Sequence, residues 1–112
     1  MTRTMFVFGL RDPRTKELRY IGLSTDPERR LGEYLKGEGG TARDRWILEL
    51  IIAKVRPEIE ILEQFEVPIN WQTKRSLLRG KEVEWHRRLT AQGVTLLNRN
   101  LAALSGALRT GT

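Results

Sequence analysis

The chain predicts a small α+β fold: a three-stranded mixed or antiparallel sheet, elements in the order β-β-α-α-β-α, with helices flanking the sheet. Three observations carry this expectation. Residues 4–10 (Thr-Met-Phe-Val-Phe-Gly-Leu) are a continuous apolar run rich in β-formers. Residues 58–63 (Glu-Ile-Glu-Ile-Leu-Glu) alternate polar with apolar, as a strand with one polar face does. Two longer stretches, 41–52 and 73–92, instead repeat their apolar residues at helical spacing.

Taken in order, the run at 4–10 reads as a strand buried on both faces. Asp12-Pro13-Arg14-Thr15 is a turn, because Pro13 pre-sets φ and the Asp12 carboxylate can accept from backbone ahead of it. So short a connection makes the next strand, Leu18 to Leu23, antiparallel to the first. A helix start follows: either Asp26 is the N-cap with Pro27 in the first position, or Thr25 caps with Glu28 three residues on. That helix runs to about Lys36 with Leu31, Tyr34 and Leu35 inward, and Gly37-Glu38-Gly39-Gly40 ends it. Thr41 opens the second helix, whose buried stripe is Trp46, Ile47, Leu50 and Ile51, and Pro57 stops it. The strand at 58–63 has the character of an edge, with Pro68-Ile69-Asn70 as a connector. The last helix spans about Thr73 to Gln92 and closes at Gly93, before a short apolar return at Leu96-Leu97-Asn98. Residues 1–98 then make one domain, and 99–112 a tail that is a frayed end or a short docked helix.

Composition excludes several classes of function. With no cysteine there is neither a disulfide framework nor a thiolate metal site. His86 is the single histidine, which leaves little for a zinc site or a Ser-His-Asp triad. No apolar run approaches the roughly 20 residues of a membrane span, and the N-terminus lacks a cleavable leader pattern. The expectation is a cytoplasmic protein with no membrane partner. Net charge is +6 and is unevenly spread: +2 over residues 1–40, −2 over 41–71 and +6 over 72–112. A basic C-terminal third suits a polyanion such as nucleic acid, and equally a solvated helix face.

A few residues break the pattern. On a helical wheel Leu78, Glu82, Trp85 and Leu89 fall within about 60° of one another, so Glu82 sits inside an apolar stripe while Glu84 points away. A carboxylate facing the core is costly unless an arginine, a hydrogen bond or a metal ion compensates it. Arg30 and Tyr34 are one turn apart on the first helix. Tyr20 lies on the second strand, where a half-buried tyrosine is ordinary, and Asn98 is in a position common for a turn residue. His86 lies off the centre of its stripe and reads as surface.

Together these residues resemble the GIY-YIG nuclease family. Tyr20-Ile21-Gly22 is similar to its second signature, and Asp26-Pro27-Glu28-Arg29-Arg30-Leu31 with Tyr34 to the helix that bears its arginine and a following His or Tyr. Trp46-Ile47-Leu48-Glu49-Leu50 and residues 57–63 resemble the middle of small phage and bacterial members. Glu82-Val83-Glu84-Trp85 resembles the late helix with the metal-binding glutamate, and Gly93 to Asn98 the closing Gly…Leu-Leu-Asn. The likeness covers residues 6–98 in the family's order. It departs at Phe6-Val7-Phe8, where Gly-Ile-Tyr is usual, and at Leu23, often a lysine.

The resemblance implies a divalent-metal-dependent endonuclease acting on DNA. Glu82 would hold one Mg²⁺ or Mn²⁺, Arg30 would meet the scissile phosphate, Tyr20 would orient or activate water with help from Tyr34, and Asn98 would organise the site. Phe8 cannot take a proton or bond a water, so a nucleic-acid-binding module with impaired catalysis is the alternative, and an interaction domain reusing the scaffold a third. The resemblance names no target sequence. A double-strand break by so small a site would require a second copy or a second visit, and guidance could come from a targeting partner.

Overall fold

The computed structural model describes residues 1–36, 39–69 and 71–98. Strands β1 (Thr2–Arg11) and β2 (Leu18–Ser24) are followed by helices α1 (Pro27–Tyr34) and α2 (Ala42–Ile52), then strand β3 (Glu58–Pro68) and helix α3 (Trp71–Ala91), the order the sequence predicts. The sheet order is β2-β1-β3, and both pairings are antiparallel. The most apolar strand is therefore the central one, where both edges are hydrogen-bonded and both faces covered. Met5, Val7, Phe8 and Leu10 are all buried in it.

Two apolar clusters lie on the two faces of the sheet. Phe8 and Leu10 pack with Leu31 of α1 and with Trp46, Ile47 and Leu50 of α2. On the other face Leu18 and Ile21 pack with Leu89, and Trp85 of α3 lies against them. The β1–β2 turn is tied to α2, because the Asp12 carboxylate accepts from the Arg14 backbone N–H at 2.9 Å and from the Trp46 indole at 3.1 Å. Arg14 and Trp46 hold that carboxyl well below the usual range, against its burial. Asp26 is the N-cap of α1, accepting from the Arg29 N–H at 3.2 Å with Pro27 in the first position. Thr41 and Asp44 form a reciprocal capping box at the start of α2. Gly93 takes φ 87° just past α3, where a Cβ would be disfavoured.

Several expectations are corrected. β3 continues to Pro68 rather than ending at Glu63, because β1 begins at Thr2 and pairs along its whole length, Thr2 opposite Pro68. A shift in register between Val7 and Phe8 breaks the alternation that made residues 58–63 legible as a strand. α1 ends at Tyr34, short of Lys36, and α3 starts at Trp71, before Thr73. Ile51 is 42% exposed: it lies on the rim of the stripe that Trp46, Ile47 and Leu50 fill. His86 is not a surface residue but 5% exposed: the covered arc of α3 is wider than the stripe of Leu78, Glu82, Trp85 and Leu89. The tail expected over 99–112 lies outside the described residues. Among the described residues no helix is long and apolar enough to cross a membrane.

Candidate active site

Tyr20 is on β2 opposite Leu10, so its ring lies on the face that α1 and α2 cover. Its partner there is Tyr34, the last residue of α1, in an edge-to-face contact with centroids 5.7 Å apart and planes at 84°. The signature glycine has a steric reason beside it. Phe8 pairs with Gly22, and a Cβ on Gly22 would come within 2.8 Å of the Phe8 ring tip. The ring of residue 8 fills the space that a side chain at 22 would need.

A third residue closes this corner, and the sequence did not single it out. Arg43, in the first turn of α2, lays its guanidinium 4.2 Å from the Tyr34 ring centroid and 5.4 Å from that of Tyr20. Its Nη1 donates to the Tyr20 hydroxyl at 3.1 Å, and its Nη2 to Asp44 Oδ1 at 3.3 Å. Nothing local marks this arginine: Arg45 shares the first turn of α2 with it, and only the fold brings β2 and α1 to Arg43. Burial first, and then Tyr20, push the Tyr34 phenol up to about 12, although Arg43 and Arg30 oppose the rise. Tyr34 therefore stays protonated at neutral pH and keeps a proton to donate.

Glu82 reaches the same place from the other layer. A cavity of about 530 Å³ is lined by Tyr20, Thr41, Ala42, Arg43, Glu82 and Asn98, among others. The other carboxylates of this region are compensated. Glu63 accepts from Lys81 at 2.6 Å and from Trp85 at 2.8 Å, and Glu84 from Arg88 at 3.1 Å. Lys81, and then Trp85, hold the Glu63 carboxyl below its usual range. Glu82 is the contrast: among the described residues its carboxylate has no hydrogen bond or ion pair in reach, and burial pushes it up with only Arg79 opposing.

Asn98 lies across the outer edge of β2. Its Nδ2 donates to the Ile21 carbonyl and its Oδ1 accepts from the Ile21 N–H, both at 2.9 Å. With the Leu97 N–H bonded to the Arg19 carbonyl, this return caps an edge that would otherwise be open.

Of the five residues expected in the site, Tyr20, Glu82 and Asn98 share the cavity, and Tyr34 joins it through Tyr20. Arg30 is the exception. It is not on the cavity wall but beside Tyr34, with its Nε 3.7 Å from Glu33. Its Nε is buried and has no hydrogen-bond partner among the described residues. A larger cleft, about 720 Å³, opens on the far face near the end of α3, but its charged groups are already matched, Arg11 with Glu60 at 2.8 Å and Arg19 with Glu17 at 3.7 Å. Size alone does not locate the chemistry.

The donor set near Glu82 suits one hard cation. Among the described residues no group of three or more His, Asp or Glu side chains could cage a metal. A single half-buried carboxylate fits an ion that keeps most of its shell for water and phosphate oxygen, and a cation there would offset the desolvation of Glu82.

A family model described as the GIY-YIG catalytic domain matches residues 5–78. That span contains Tyr20, Arg30, Tyr34 and Arg43, and stops before Glu82 and Asn98. No curated protein and no solved structure matches the chain.

Proposed function

The chain belongs to the GIY-YIG family, and from that premise we propose that it is a divalent-metal-dependent DNA endonuclease. The observation that carries this reading is Glu82, a half-buried carboxylate with no compensating partner among the described residues, facing the same cavity as the Tyr20 hydroxyl. Phosphodiester hydrolysis needs a positioned water, positive charge at the phosphate and relief of charge on the leaving oxygen. Mg²⁺ or Mn²⁺ held at Glu82 would supply Lewis-acid stabilisation of the phosphate and the leaving oxygen.

The chain's own groups do the rest. The hydroxyl of Tyr20, a residue of the cavity wall, bonds and orients the attacking water. Tyr34 donates from a phenol that stays protonated. Arg30, behind Tyr34, supplies positive charge, and contact with the phosphate requires its side chain to swing away from Glu33. Asn98 fixes the strand that carries Tyr20. DNA is the substrate, and cutting is weakly specific, directed to a DNA structure or guided by a partner.

The test is supercoiled plasmid with Mg²⁺ or Mn²⁺, read as nicked circles on a gel. Nicking that disappears with EDTA and falls at least about 100-fold in Glu82→Ala supports the reading. Nicking that survives Glu82→Ala overturns the metal assignment.

A second reading is a DNA-binding module with impaired catalysis, and Phe8 favours it. Phe8 is 0% exposed and packed in the core against Gly22, so the place of the usual first phenol offers no hydroxyl. Metal-dependent nicking by the unmodified protein excludes that reading; salt-sensitive DNA binding without cleavage supports it.

A further inference from the structure

Arg43 has no part in the roles given so far, yet it is bonded to the hydroxyl on which they depend. We propose that Arg43 is a positioning residue for Tyr20, and that the capping box of α2 in turn holds Arg43. The inference rests on the nuclease reading of the site.

The geometry is a chain of bonds running from the helix cap to the phenol. Thr41 donates to Asp44 Oδ2 from its backbone N–H at 3.2 Å and from its hydroxyl at 2.7 Å. Asp44, itself buried, accepts from Arg43 Nη2, and Arg43 Nη1 reaches Tyr20. The two phenol rings hold the guanidinium between those bonds. Its Nε is buried with no hydrogen-bond partner among the described residues, a cost that persists only where the surroundings fix the group in place.

Tyr20 needs such a partner. It sits on an edge strand, and the phenol that would stand near it in the first signature is replaced by Phe8. Accepting from Arg43 sends the hydroxyl's own proton in another direction, which decides what Tyr20 can offer a water in the cavity. The guanidinium, which can only donate, also fixes which side of the phenol oxygen is left to face the water. A direct phosphate contact is the rival role for Arg43. It is disfavoured because both Nη atoms are already engaged and Asp44 sits 3.3 Å away as counter-charge.

The experiment is a double-mutant cycle on plasmid nicking, with DNA binding measured separately by fluorescence anisotropy in EDTA. Arg43→Gln is expected to lower kcat about 100-fold while KM and binding in EDTA move less than about twofold. In a Tyr20→Phe background the same substitution is expected to change kcat less than about twofold, because the group it positions is gone. Arg43→Lys keeps the charge over the rings but cannot bridge Tyr20 and Asp44 together, so it recovers about tenfold of the loss. If circular dichroism finds Arg43→Gln unfolded, Arg43→Lys carries the cycle. Losses that multiply overturn the proposal, as does a raised KM with a salt slope reduced by about one phosphate contact. A wild type that does not nick overturns the nuclease reading and this inference with it; nicking with independent effects overturns the inference alone.

Discussion

Gly22→Ala tests the packing beneath the site. The added Cβ would lie 2.8 Å from Phe8 Cζ, well inside van der Waals contact. The ring cannot step aside: Phe8 is 0% exposed and enclosed with Leu10, Leu31, Trp46, Ile47 and Leu50. Overpacking of this kind costs about 1–3 kcal/mol, and we take about 2. At about 4–8 °C per kcal/mol for a domain of this size, the melting temperature should drop by about 10 °C. The assay is urea and thermal unfolding of four proteins: wild type, Gly22→Ala, Phe8→Leu and the pair. In the Phe8→Leu background the new methyl has room, so the alanine should cost less than about 0.5 kcal/mol, a coupling of about 1.5 kcal/mol. An alanine that costs the same in both backgrounds would refute the reasoning, because the penalty would then not come from the ring.

The remaining predictions concern charge and hydrogen bonding. Glu82 has a raised carboxyl, so its ionisation opposes folding once the pH climbs above the unfolded value near 4.5. Glu82→Gln should therefore be more stable than wild type at pH 7, and the gap should close toward pH 4, as followed by urea midpoints. Wild type should melt about 7 °C higher in Mg²⁺ at tenfold over its Kd, from about 1.4 kcal/mol of linkage, and Glu82→Gln should not. Asp12 is the opposite case: Arg14 and Trp46 hold it low, so its contribution is present above the unfolded value near 3.8 and is lost as pH falls below it. Asp12→Asn should cost about 2 kcal/mol at pH 7, with the difference narrowing in acid unfolding curves. Asn98→Ala removes both bonds to Ile21; amide exchange at Ile21 should speed up by about 10-fold or more, and unchanged protection would remove Asn98 as the edge clasp.

Much of the fold was legible because its signals are local. The β1–β2 turn was readable from Asp12-Pro13, and the caps of α1 and α2 from Asp26-Pro27 and from Thr41 with Asp44, since each motif makes its bonds within a few residues. The alternative caps at Thr25 and Asp26 were separated only by the backbone at Asp26. Glu82 was legible as an anomaly, a charge in an apolar stripe. Its lack of a partner was not, because that depends on where Lys81, Arg88 and Arg79 point. His86 was misread for a related reason: its burial depends on what packs around α3, which its place on the wheel does not record.

The sequence by itself determined the element order, the burial of the most apolar strand on both faces, the helix caps and the family signature around Tyr20-Ile21-Gly22. These rest on periodicity and on bonds between near neighbours. Only the tertiary structure decided the length of β3, the burial of His86 and the make-up of the site. It placed Arg43 between two tyrosines, set Arg30 behind Tyr34, and brought Glu82 and Asn98 round the β2 edge to meet Tyr20. No pattern in the chain records such meetings, because they join residues far apart in sequence through the packing of two layers on one sheet edge.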